Sequence, residues 1–261
     1  MILESVSEIA AIFGRWNTKL VRRPIFIFFS LIQPLVWFLL FTQAFSAIGS
    51  IPGFDLITGT SSYITFFTAA VIIQTVASSA LQAGIGIVND LDNGFMDKMK
   101  VAPINKSSIL FGKVFSDAIT IVVQVFIILV IGMLVGVKIA TGLPGVVLIL
   151  LLSALFGIAW SGISIFVALT TKNSETTLLI GLLTTFPLLF LSAAVMPLRL
   201  LPDWVQKVAE VNPFTYIAQA FQELIIRGYN WEIIGQAFLA IIIIGVITLA
   251  ASTAMFRRTV S

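Results

Sequence analysis

Six stretches of this chain run for about twenty residues or more without an Asp, Glu, Lys or Arg. They are 24–54, 56–89, 118–137, 139–171, 176–198 and 233–256. A helix needs about 20 apolar residues to cross the hydrocarbon core. With no water to pair with, a lipid-facing backbone must satisfy its own hydrogen bonds, which leaves helices or closed barrels. Barrel strands alternate apolar and polar residues, and these runs do not. The expected fold class is therefore all-α: an integral membrane protein with six transmembrane helices near 26–48, 63–88, 110–136, 145–170, 176–196 and 233–256. Only 10% of the 261 residues are charged, against about a quarter in soluble domains. The whole chain, 1–261, reads as a single transmembrane domain.

The polar breaks carry the rest of the organisation. Before the first run, Ile2, Val6, Ile9, Phe13, Trp16 and Leu20 share one helical face. Glu4, Glu8, Arg15, Lys19 and Arg22 lie off it, so 1–23 is expected to be an interfacial helix rather than a cleaved leader. Of the 15 Lys and Arg, eleven fall in the breaks on the N-terminal side of the membrane, and only Lys138, Arg199, Lys207 and Arg227 fall on the other. Basic residues accumulate on the cytoplasmic side, so both termini and the break at 89–109 are expected to be cytoplasmic. The break at 197–232 is expected outside. It is punctuated by Pro197, Pro202 and Pro213, and holds two apolar faces. One is Trp204, Val205, Val208 and Val211; the other is Phe214, Ile217, Ala218, Phe221, Leu224 and Ile225. Each piece is too short to cross. Two external re-entrant half-helices, or an amphipathic pair covering the bundle, fit equally well. Asn212-Pro213 is the expected cap and first-turn proline of the second piece.

Several chemistries drop out. The chain has no His and no Cys, which removes the commonest general base, the commonest metal ligand and any thiolate. No glycine stands at the P-loop distance before Gly112-Lys113, and no Ser or Thr follows it. No enzymatic constellation and no nucleic-acid face emerges, and no metal, cofactor or catalytic residue is expected in this chain. Polar residues inside the spans are mild: Gln33, Gln43, Gln74, Gln82 and Gln124, best read as helix–helix hydrogen bonders. Asp117 and Glu175 read as lying near cytoplasmic helix ends. Gln33-Pro34 and Pro187 are expected to mark bends.

The break at 89–109 is the densest charge cluster, with Asp90, Asp92, Asp97, Lys98, Lys100 and Lys106, and Lys113 just beyond. Asn93-Gly94 signals a turn. Residues 95–101 make about two helical turns before Ala102-Pro103 stops them. Phe95 and Met99 share a face. An isolated helix this short is not stable in water, so it must pack on something. Membrane surface and protein partner are left level by these residues alone.

Two stretches resemble a known family. DLDNGFMDKMKVAPINKSSILFGKVFSD, Asp90 to Asp117, resembles the cytoplasmic loop of the permease subunits of type-two ATP-binding-cassette exporters, in particular the multidrug and drug-resistance branch. FLSAAVMPLRLLPDWVQKVAEVNPFTYIAQAFQELI, Phe190 to Ile225, resembles the same family's small-residue run, Leu-Pro-x-Trp and Asn-Pro signature. With six spans and an amphipathic start, the resemblance covers nearly the whole chain. That branch often has Arg where Lys98 stands, and often a Glu where the loop here opens on Asn89-Asp90.

The resemblance implies a mechanism. Two permeases, identical or homologous, form the pore in the cell membrane of a prokaryote, embedded among membrane lipids. Two separate ATPase subunits carry ATP and Mg and dock on the cytoplasmic loops. By match to that loop, Gly94, Phe95, Lys98, Met99 and Pro103 would couple to the ATPase, while Pro202, Trp204, Asn212 and Pro213 would shape an external gate. The expected function is multidrug-type efflux of a lipophilic drug, a lipid or a similar substrate. The 22 phenylalanines suit such cargo, although phenylalanines facing acyl chains would read the same. A stand-alone ion-coupled carrier and a non-transporting assembly protein remain the other readings.

Overall fold

The computed structural model describes residues 12–14, 18, 24–95 and 106–260. Every regular element among them is helical. In order these are α1 (Pro24–Ala44), α2 (Phe54–Thr58), α3 (Tyr63–Asp92), α4 (Lys106–Leu134), α5 (Gly142–Thr171), α6 (Ser174–Phe190), α7 (Asp203–Val211), α8 (Pro213–Gln222) and α9 (Trp231–Val260). A π-helical stretch, Glu223–Arg227, continues α8. Four helices, α3, α4, α5 and α9, are long and apolar enough to cross a membrane; α1 and α6 are apolar but shorter. The interfacial helix expected over 1–23 falls outside the described residues except at Ile12–Gly14 and Thr18. Of these, Ile12 is buried against Ile87, Leu110, Leu169 and Phe256.

Local chemistry sets the ends. Ser62 caps α3 by accepting from the Thr65 amide, which satisfies one of the orphan donors of a first turn. Asn93-Gly94 closes the same helix: Gly94 sits at φ +64° and its amide donates to the Leu91 carbonyl at 3.1 Å. That left-handed geometry costs any residue with a Cβ. Lys172, at φ +50°, ends α5, and Asn173 starts α6 by accepting from the Thr176 amide at 2.8 Å. Pro34 and Pro187 both lie inside their helices.

The fifth apolar run was expected to remain helical to 196, but α6 stops at Phe190. Two of its last carbonyls are taken by a side chain from a distant segment. Asn212 Nδ2 donates to Leu188 O at 2.6 Å and to Leu191 O at 2.8 Å. The chain then turns through Ser192, whose hydroxyl donates to Leu189 O and accepts from the Ala194 amide.

The core sits around α3, which packs against α1, α4, α5, α6 and α8. Some 83% of its apolar window is buried, against 22% for α9, so α3 is the axis of the bundle and α9 a wall. The tightest crossing is α3 on α5. A Cβ on Gly84 would overlap the hydroxyl and carbonyl oxygens of Ser164, and Ser164 Oγ donates to Leu81 O at 2.7 Å. Small residues let two backbones approach in this way where lipid supplies no hydrophobic drive between helices.

Candidate functional site

The candidate residues fall into two clusters along α3, which at 1.5 Å per residue is about 45 Å long. At its C-terminal end, Gly94 holds the left-handed turn, and no described residue beyond its chain neighbours lies within 4 Å of where its side chain would be. Phe95 follows, half-buried. Lys98, Met99 and Pro103 lie outside the described residues. The helix and the turn therefore deliver the loop at a defined point directly off the most buried helix of the bundle.

The gate candidates stand apart from that turn. Pro202 immediately precedes α7. Trp204 on α7 is 63% exposed, as Val211 is at 81%. Pro213 is the first residue of α8, and Asn212 its cap, accepting from the Phe214 amide at 3.0 Å. The two short helices differ in kind. α7 presents apolar side chains to its surroundings, while α8 is buried at Phe214, Ile217, Ala218 and Phe221. Phe214 packs edge-on to Phe156 and Trp160 of α5, at 5.3 and 4.8 Å. Asn212, 2% exposed, is thus a clamp between the end of α6 and the start of α8. Pro202 and Trp204 are not part of that clamp.

Beside α8 opens a cleft of about 590 Å³, lined by residues of α2, α3, α8, the π-helical stretch and α9. Phe66, Arg199, Gln219, Gln222, Glu223 and Arg227 are among its walls. Arg227 Nη1 donates to Glu223 Oε1 at 2.6 Å and Nη2 to the Ile57 carbonyl at 2.9 Å, which ties the π-helical stretch to α2. Gln222 Nε2 holds the Ala193 carbonyl. The carbonyls of Leu224 and Ile225 are taken by Thr141 Oγ1 and the Ala140 amide. An interrupted helix is tolerated at such a place because side chains and loops re-satisfy its backbone. Tyr63, the first residue of α3, reaches the same region with its hydroxyl on Val195 O.

Two polar arrangements of the interior bear on the expectations for the spans. Gln124 of α4 donates to Ser30 Oγ of α1 at 2.6 Å, and Ser79 of α3 donates to Gln124 Oε1, so the expected helix–helix role of the glutamines holds at this one. Gln74 is buried too, and its Nε2 has no partner among the described residues, whereas Gln33, Gln43 and Gln82 are exposed. The second arrangement was missed from sequence. Lys113 Nζ and Asp117 form an ion pair at 2.8 Å on α4, with Lys113 buried. Asp117 stands 11 residues beyond Lys106, about 16 Å along the helix axis, so it is not at the helix end where the apolar run had placed it. The lysine lies over Gly86 of α3, with its Cε and Nζ 3.1 and 3.2 Å from where a Cβ would sit. An i, i+4 Lys–Asp spacing facing a glycine on another helix was the only signal available.

Comparison with known proteins agrees with this architecture. A family model described as ABC-2 type transporter matches residues 7–226. The chain is 28% identical to a putative transport permease, ycf38, of Cyanophora paradoxa, over 84% of this chain and 74% of that one. It is 28% identical to the daunorubicin resistance ABC transporter permease protein DrrB1 of Streptomyces coeruleorubidus, over 74% of this chain and 66% of that one. With the inner membrane transport permease YhhJ of Escherichia coli K12 it shares 25% identity, over 73% and 51% of the two chains.

Proposed function

The chain belongs to the ABC-2 type transporter family, and from that premise we propose that it is the membrane-spanning subunit of an ATP-driven exporter for a lipophilic drug, a lipid or a similar substrate. Two copies, or this chain and a homologue, enclose the pathway in a prokaryotic cell membrane. ATP and Mg reside on a separate ATPase, which docks on the loop that begins at Gly94. α1 and α6 act as the first and fifth of six spans, with both termini cytoplasmic. α7 and α8 are the external half-helices, α8 inserted among the spans and α7 lying across them.

The observation that carries this reading is the course of α3. One uninterrupted helix of 30 residues, the most buried in the bundle, leads from the docking turn at Gly94-Phe95 to the cleft wall at Phe66. A displacement applied at the loop reaches the cleft through a packed rod, and Asn212 links the end of α6 to the same region. ATP-driven closure of the ATPase pair thereby changes access to the pathway. DrrB1, by its name, serves daunorubicin resistance, and a core that is largely aliphatic and aromatic supports a lipophilic cargo here.

The test is co-purification with a co-expressed ABC ATPase subunit from the same organism. Phe95→Asp combined with Met99→Asp is expected to abolish it, because an acidic pair cannot fill an apolar groove; an intact complex after both changes refutes the docking assignment. ATPase stimulation of the complex by a panel of apolar compounds then identifies the cargo. Orientation is read separately on this Cys-free chain. Ser61→Cys is expected to react with an impermeant thiol reagent from outside, and Arg258→Cys only from inside; both positions are exposed.

A further inference from the structure

On the outer wall of the bundle, away from α3, an apolar groove of about 670 Å³ runs between α4, α5 and α9. Its floor on α9 is one continuous helical face, from Ile241 through Val246 and Ala250 to Arg257. Polar residues occur at one end only. There Arg257 is exposed and turns onto Ser107 of α4, with Nε and Nη2 at 3.2 and 3.0 Å from Ser107 Oγ, and Thr253 lies one turn below. At the other end Ile241 and the α5 residues Leu155 to Ala159, near the middle of that helix, close the groove with hydrocarbon.

The dimensions choose the occupant. Ile241 to Arg257 spans about 24 Å along the axis. One leaflet of hydrocarbon is about 15 Å, and its headgroup layer adds a further 5–7 Å or so. A transmembrane helix of a partner would follow α9 for its whole length, whereas this groove stops at mid-bilayer. Charge chooses the headgroup. Arg257 and Arg258 both stand exposed at this end, and a guanidinium presents its donors in a rigid fork suited to phosphate.

We propose that the α4–α5–α9 groove is a binding site for one anionic glycerophospholipid, its acyl chain along α9 and its phosphate at Arg257. The lipid is a bound structural ligand on the wall, separate from the pathway and its cargo. Assignment to the cytoplasmic leaflet, though not the site itself, rests on the orientation proposed above.

The experiment is native mass spectrometry of the full chain titrated with dioleoylphosphatidylglycerol or dioleoylphosphatidylcholine. The glycerol lipid is expected to bind more tightly. Arg257→Gln is expected to weaken it about fivefold, the effect of one basic residue at a lipid surface, and to leave the choline lipid unchanged. Arg257→Lys is expected to keep more than half of the preference. Val246 is 65% exposed in the groove, so Val246→Trp leaves the core intact and is expected to weaken both lipids. Arg199→Gln, on the far side, is expected to change neither. Equal affinity for the two lipids, or wild-type binding by Arg257→Gln or Val246→Trp, overturns the site. So does efficient disulfide formation between two Val246→Cys copies in membranes, which would mean that a second copy covers the groove. Labelling of Arg258→Cys from outside instead moves the site to the outer leaflet and refutes the orientation, while the binding data stand.

Discussion

Replacing Asn212 by Ala removes three hydrogen bonds at once. Its Nδ2 serves the carbonyls of Leu188 and Leu191, and its Oδ1 receives the Phe214 amide. Hydrogen bonds between membrane helices average about 0.6 kcal/mol, and those in water-soluble proteins reach about 1.5 kcal/mol. Three of them come to roughly 2–4 kcal/mol. Water cannot take over easily, because the residue is 2% exposed. On the scale of about 2–4 °C per kcal/mol for chains of 150–250 residues, the melting temperature should fall by about 4–16 °C. Tryptophan fluorescence during heating in detergent reads both the global loss and a local one. The Phe214 ring, positioned by this cap, lies 4.8 Å from Trp160, so the emission of Trp160 should shift before unfolding. Asn212→Asp separates the parts. It keeps the capping oxygen, loses both donors and brings a negative charge against two carbonyls, so it should be at least as damaging as Ala. A melting temperature for Asn212→Ala within about 1 °C of wild type would refute the clamp and leave the Asn-Pro pair as a simple helix start.

Three further outcomes follow from the packing. Gly84→Ala should destabilise by several kcal/mol, because the methyl meets the Ser164 backbone, whereas Gly235→Ala, with nothing within 4 Å, should be neutral or stabilising by up to about 1 kcal/mol; paired thermal melts decide it, and equal effects would sink the close-approach argument. Lys113→Ala should cost about 3 kcal/mol by stranding Asp117, and Lys113→Met with Asp117→Leu should recover at least half of that; no recovery in the double variant would mean the pair is not the source of the loss. Gln124→Leu should loosen α1 from α3 and α4 at about 1–2 kcal/mol, read as faster hydrogen exchange in α1, and exchange unchanged from wild type would deny the link.

What was legible in the sequence followed from lipid as a solvent. Charge-free length located every long helix to within a few residues, because desolvating a backbone or a charge in hydrocarbon allows few alternatives. Local chemistry was legible too: Asn93-Gly94 ends α3, and Asn212-Pro213 starts α8. What stayed hidden was three-dimensional partnership. A charge-free run to 198 could not reveal that α6 stops at Phe190, since the side chain that donates to the carbonyls of Leu188 and Leu191 sits 24 and 21 residues beyond them. Lys113 and Asp117 looked like rim charges because periodicity within one helix does not say which neighbour it faces; Gly86 on α3 is what makes room for the lysine. For the same reason α7 and α8 looked alike by apolar face, yet α7 leaves Trp204 and Val211 exposed while α8 is buried. The face of a short amphipathic helix records that it must pack, and only the surrounding helices determine whether protein or lipid meets that need. The same logic bears on α9, where the apolar groove and its terminal arginine were invisible as a unit, because Ser107, Leu155 and Arg257 come from three helices that only the fold brings together.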